Sequence, residues 1–140
     1  MSTATIVNEM LTTRQNDTRL GGELMAECVE LLTDCAQACV QCADDCLAEQ
    51  WQQNHMAKCI RLNQDCADIC ATAARVLSRQ AGYVPDTVAA MLSAAIASCS
   101  ACATVCSEHD DMPHCAACAR HCKEAAESCR VMMRALPGLN

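Results

Sequence analysis

The sequence of 140 residues contains no phenylalanine, one tryptophan and one tyrosine. A core built on aromatic packing is therefore excluded, and so is an aromatic platform for stacking bases. Glycine (four) and proline (three) are also scarce. That leaves too few turn residues for a protein of many short strands, or for the loop-rich scaffolds that disulfides normally staple. Basic residues number 10 against 17 acidic ones, for a net charge of −7. This balance favours solubility and offers no electrostatic footprint for nucleic acid. The opening "MSTATIVNEMLTTRQNDTRL" lacks a cationic stretch followed by an apolar run, so no signal peptide is read. No segment reads as long and apolar enough to span a membrane. The expected location is cytoplasmic, where thiols stay reduced. There is no nucleophile–base pair, phosphate loop or acid dyad, so no catalytic residue is assigned and no enzyme is expected.

What the sequence has in abundance is sulfur: 15 cysteines and 8 methionines. Cysteine makes up about a tenth of the chain, a level usual in disulfide scaffolds, yet here it sits in long Ala/Leu/Glu/Arg segments that favour helix. Residues 1–22 read as an N-terminal segment with a short additional helix around Ile6 to Leu11, and the Gly21-Gly22 pair as a break. Residues 23–49 and 54–80 read as two long helices joined by "QWQQN", with Gly82 closing the second. Pro85 opens a third helix to about Ser107, and Pro113 a fourth to about Leu136, because proline suits the first helical turn. Residues 137–140 form a tail. Four long helices with short connections predict an all-α, antiparallel up-down four-helix bundle over residues 23–136.

Within these helices the cysteines recur at spacings of three and four, as in "CAQACVQCADDC". At 100° per residue, Cys28, Cys35, Cys39, Cys42 and Cys46 share an arc of about 60°. Cys59, Cys66 and Cys70 share about 40°. Cys99, Cys102 and Cys106 span about 60°, as do Cys115, Cys118, Cys122 and Cys129. Leu24, Leu32, Leu77, Val88, Leu92, Met133 and Leu136 continue the stripes, so the cysteine stripe is the core stripe. Antiparallel threading places Cys46, Cys59, Cys106 and Cys115 at one end. Below them come Cys42, Cys102 and Cys118, then Cys39, Cys66, Cys99 and Cys122, then Cys35 and Cys70. The far end turns into a plug of Leu24, Leu77, Leu92 and Met133, with Cys28 and Cys129 as the last thiols. The core is predicted to be a thiol-lined tube closed at one end.

A buried cysteine can simply pack as a small hydrophobe, but a core made mostly of small side chains is underfilled, which is costly. A disulfide ladder conflicts with a reducing compartment and with neighbours on a single helix. Metal is the remaining use, and soft thiolates select Cu(I), Zn(II) or iron–sulfur clusters. The pairs "CVQC", "CSAC" and "CAAC" lie inside helices and each gains a further cysteine four residues on. They form a continuous rail rather than a tetrahedral zinc knuckle on turns, and they lack the loop wrapping and trailing proline of cluster motifs. Cu(I) accepts low coordination, and i, i+4 thiols can close on one ion along a helix. The pattern points to storage or buffering of multiple Cu(I) ions. A zinc or cadmium metallothionein-like store and a metal-free thiol redox sensor or interaction module are the alternatives.

"CIRLNQDCADIC" (Cys59 to Cys70), "HDDMPHCAACARHC" (His109 to Cys122) and the following "CRVM" resemble the cytosolic copper storage proteins, a family of four-helix bundles; the likeness covers about residues 24–134. The resemblance implies a homotetramer, Cu(I) held by all 15 cysteines, and a histidine-bearing opening at which His109 and His114 fall. Leu32, Leu92, Ala95 and Ala125 stand where relatives often carry cysteine, which implies a smaller capacity here, and Asn63 stands where an acidic residue is expected. The first 20 residues lie outside the resemblance.

His109, Met112 and His114 flank the turn above the predicted tube, and imidazole and thioether donors suit Cu(I) in transit. They are taken as metal-site residues beside the cysteines, with His55, which starts the second helix at the same end, as a further candidate. His121 falls off the stripe and reads as a surface residue. Asp44, Asp45, Asp110 and Asp111 read as solvated or capping carboxylates. Val29, Val40 and Val131 form a weak apolar set on the outer faces. The expected partners are copper ions, other copies of the chain, and a copper chaperone or small-thiol donor, with neither nucleic acid nor membrane.

Overall fold

The computed structural model describes residues 1–13, 22–49 and 53–138, the side chains of 53–55 excepted. The expected Gly21 break, the Trp51 turn and the His55 side chain thus lie outside the described residues. Within them the chain is all-helical: α1 (Thr3–Thr12), α2 (Gly22–Ala48), α3 (Gln53–Ser78), α4 (Pro85–Ser107) and α5 (Pro113–Arg134).

Local chemistry accounts for the ends. The Ser2 hydroxyl accepts from the Thr5 N–H at 3.1 Å and caps α1. α4 and α5 each begin with proline, whose missing N–H costs nothing in a first turn. Between α3 and α4, Gly82 sits at φ +68, the left-handed region that side-chain-bearing residues avoid. No atom lies within 4 Å of where its Cβ would be, so only backbone strain opposes substitution. Gly82→Ala is expected to lower stability by about 1–2 kcal/mol, read from the midpoint of chemical denaturation.

α2 packs on α3 and α5, and α4 packs on the same two helices. The helices meet along a seam in which fully buried positions alternate by three and four. On α2 these are Met25, Cys28, Leu32, Cys35, Cys39, Cys42 and Cys46; on α5 they are Cys115, Cys118, Cys122, Ala125, Cys129 and Met132, with the buried Leu136 just past its end. This is the heptad spacing of helices that wind around one another. It corrects three expectations. Leu24 and Met133 are only partly buried, and the seam runs through Met25 and Met132, 1 % and 0 % exposed. Val29, expected on an outer face, is 4 % exposed. A count at 100° per residue drifts by about 20° per heptad against a 3.5-residue seam, so the error grows toward the helix ends.

α1 is longer than expected and lies on α2. Val7 and Leu11 pack against the core, and Leu11 stands 3.6 Å from where a Cβ on Gly22 would be. A further correction concerns α4. It is 23 residues long, and an 18-residue window within it has a mean hydropathy of 1.8, long and apolar enough to cross a membrane. Ala, Val, Leu and Cys supply that hydropathy, and its seam of Val88, Leu92, Ala95, Cys99, Cys102 and Cys106 is buried against its neighbours.

Candidate metal centre

All 15 cysteines are buried free thiols. At one end Cys46 meets Cys115 at 3.9 Å, and Cys42 meets the same thiol at 3.9 Å. Cys59 and Cys106 approach to 3.4 Å. Further in, Cys39 lies 3.8 Å from Cys118 and 3.7 Å from Cys122. Cys35 then contacts Cys122 at 3.6 Å and Cys66 at 3.9 Å, and Cys70 closes on Cys99 at 3.4 Å. The contacts are continuous, each group sharing a sulfur with the next or touching it. The donor atoms fall into sets within 4.8 Å of one another: Cys42, Cys46, His114 and Cys115; Cys42, Cys59 and Cys106; Cys39, Cys102, Cys118 and Cys122; Cys35, Cys39, Cys66 and Cys122; and Cys35, Cys66, Cys70 and Cys99. Together they form a column of overlapping three- and four-donor sites, suited to soft ions bridged by thiolates.

The residues expected at the mouth are treated differently. His114 reaches the column, its Nε2 3.5 Å from the Cys46 sulfur. His109 is half-buried in the turn and joins no donor set among the described residues. Met112, 8 % exposed, occupies the N-cap of α5, and its backbone N–H donates to the His109 carbonyl at 3.0 Å. That hydrogen bond folds the turn over the column's end. His121 is half-buried rather than fully at the surface.

Two residues carry more than their sequence reading gave them. Asn63 is 0 % exposed and lies among the thiols. Its Oδ1 accepts from Cys102 at 3.0 Å and Cys118 at 3.1 Å, and its Nδ2 donates to Cys59 at 3.5 Å. The signal was present, since Asn63 is the seam position between Cys59 and Cys66. Met56, 0 % exposed, continues the α3 seam one step beyond Cys59 and places a thioether at the same end.

Burial opposes thiolate formation and pushes Cys46 up to about 11, and it raises Cys115 as well. Cys59 is held well below the usual thiol range by its hydrogen bond with Cys106. Toward the other end Cys28 is held below the usual thiol range and Cys129 above it, each chiefly through the other.

Helices that enclose a column of contacting thiols, with an imidazole at one end, define a metal-binding core. The chain belongs to the copper storage protein family, whose family model matches residues 22–134. It is similar to the copper storage protein Ccsp of Streptomyces lividans, solved with 10 copper equivalents, at 40% identity and a TM-score of 0.89, over 93% of this chain and 99% of that one. A structure of a cytosolic copper storage protein from the same organism with five coppers matches at 41% identity and a TM-score of 0.79, over 84% of this chain and 96% of the other. A double histidine-to-alanine mutant of Ccsp matches at 39% identity and a TM-score of 0.80, over 84% and 98%. A comparison with curated proteins finds no match.

Proposed function

We propose that the protein stores multiple Cu(I) ions in the cytoplasm, on thiolates inside an antiparallel up-down four-helix bundle formed by residues 23–136. Residues 1–22 add a helix outside that unit, and 137–140 are a tail. All 15 cysteines act as ligands, His114 as a ligand at the mouth, and His109 and Met112 as donors in transit. The observation that carries this is the unbroken succession of sulfur contacts from Cys46 to Cys70, with the His114 imidazole at one end. Bridging thiolates let each ion share ligands with the next, so capacity scales with the thiol count. No enzymatic role is proposed. Cytosolic residence is supported by the Streptomyces relative described as cytosolic. Assembly as a homotetramer and loading by a copper chaperone or a small thiol complete the proposal.

An anaerobic titration against a chromogenic Cu(I) chelator tests it. Uptake near one ion per thiol is expected, with proton release, because each ligating thiol must give up its proton. Affinity should therefore fall as pH is lowered, protons competing most strongly at thiols that burial raises, such as Cys46. Saturation at one or two ions, or an equal capacity for zinc or cadmium, would refute the function.

A further inference from the structure

We propose that Asn63 is a positioning residue that divides the thiol column into an outer and an inner compartment, and slows the passage of copper between them by holding Cys102 and Cys118 in hydrogen bonds. The proposal rests on the storage function and adds to it an order of filling and the residue that sets it.

The donor sets fall into two groups. At the His114 end, the set of Cys42, Cys46, His114 and Cys115 shares Cys42 with the set of Cys42, Cys59 and Cys106. Deeper in, the three four-thiol sets overlap through Cys39, Cys122, Cys35 and Cys66. Among the described residues no set contains sulfurs of both groups. The sulfur contact that joins the groups is Cys102 to Cys106, at 3.9 Å along one face of α4.

Asn63 lies at that junction, fully buried. Its Oδ1 accepts from Cys102 at 3.0 Å and from Cys118 at 3.1 Å, and stands 3.9 Å from Cys106. Its Nδ2 faces the outer group and donates to Cys59 at 3.5 Å. The amide is thus polarised across the junction. Toward the outer group it presents an N–H, which suits a sulfur that has given up its proton to take an ion. Toward the inner group it presents a carbonyl oxygen, which can only accept and so needs the S–H groups of Cys102 and Cys118 as donors.

An ion that binds either of those thiols displaces its proton to solvent as the S–Cu bond forms, and no electron is transferred. The Asn63 oxygen then loses a donor while buried, which costs free energy. Cys42, Cys46 and Cys115 have no hydrogen bond to Asn63 among the described residues, so binding there carries no such cost. Copper therefore fills the outer compartment first and crosses at Cys102 more slowly.

The test uses the full-length protein under anaerobic conditions, with copper delivered from a weak chelator and followed by stopped-flow absorbance. The wild type is expected to load in a fast and a slow phase. Asn63→Leu, close in size and without hydrogen-bonding atoms, is expected to speed the slow phase about tenfold, with the fast phase and the total capacity unchanged. A residue that only filled space would slow loading or cost helix when replaced, and would not speed one phase. Cys102→Ala removes the joining sulfur and is expected to slow the second phase while the first persists. Infrared difference spectra of the metal-free protein read the hydrogen bonds without copper: the S–H stretches of Cys102 and Cys118 should move to higher frequency in Asn63→Leu. Single-phase loading of the wild type at full capacity would overturn the proposal. So would a slow phase that neither Asn63→Leu nor Cys102→Ala alters, or an S–H spectrum that Asn63→Leu leaves unchanged. A wild type that takes up only one or two ions fails at the storage function instead, before any order of filling arises.

Discussion

The metal-free, reduced protein is expected to remain mostly helical by far-UV circular dichroism, and Leu92→Ala to lower its unfolding free energy by about 2–5 kcal/mol. Both results follow from where the apolar residues lie. The column contributes small side chains that fill a core poorly, whereas Leu32, Leu77 and Leu92 are at most 1 % exposed and gather toward the closed end. That end, with Met25, Val88 and Met132, carries most of the large buried side chains of the metal-free fold. Truncating Leu92 removes the transfer free energy of its side chain and leaves a cavity. Copper should offset the loss, since a ligand at 100 times its Kd stabilises the native state by about 2.7 kcal/mol per site. Chemical denaturation of the variant with and without copper measures both effects. A random-coil spectrum for the metal-free protein would show that folding requires the ion, as in zinc fingers.

The second large effect concerns entry. The combined variant His109→Ala/Met112→Ala/His114→Ala is expected to slow Cu(I) loading by about tenfold, a typical cost of losing groups that support a metal site. Capacity should fall by no more than a few ions. His114→Ala alone should account for most of the change, because His114 is the imidazole within 3.5 Å of a thiol, while His109 is held in the turn by backbone hydrogen bonds. Stopped-flow absorbance of the copper–thiolate bands, with copper delivered from a weak chelator, gives the rate. Loading at the wild-type rate in the combined variant would reduce these residues to an ordinary solvated turn.

Much of this was legible before any coordinates. Scarce glycine and proline placed the helix ends, and Pro85 and Pro113 begin α4 and α5 as expected. Cysteine spacings of three and four put every thiol on a buried face, because side chains so spaced share one side of a helix whatever it packs against. Ligand type narrowed the ion to a soft one, and thiols in rails along helices pointed to copper, with a zinc or cadmium store as the alternative. The exact seam was not legible from a single helix. Leu24 against Met25 and Met133 against Met132 differ by one residue, and only supercoiling around real neighbours selects between them.

By itself, then, the sequence determined the helices, the thiol stripes and the class of ion, all of which depend on local periodicity and side-chain chemistry. Only the tertiary structure decided what depends on residues far apart in the chain. It set Asn63 against Cys102 and Cys118, and it brought His114 but not His109 to the column. Those outcomes turn on distances of a few ångströms between different helices. Such distances are set by how the seams interlock, and spacing along one helix does not contain them.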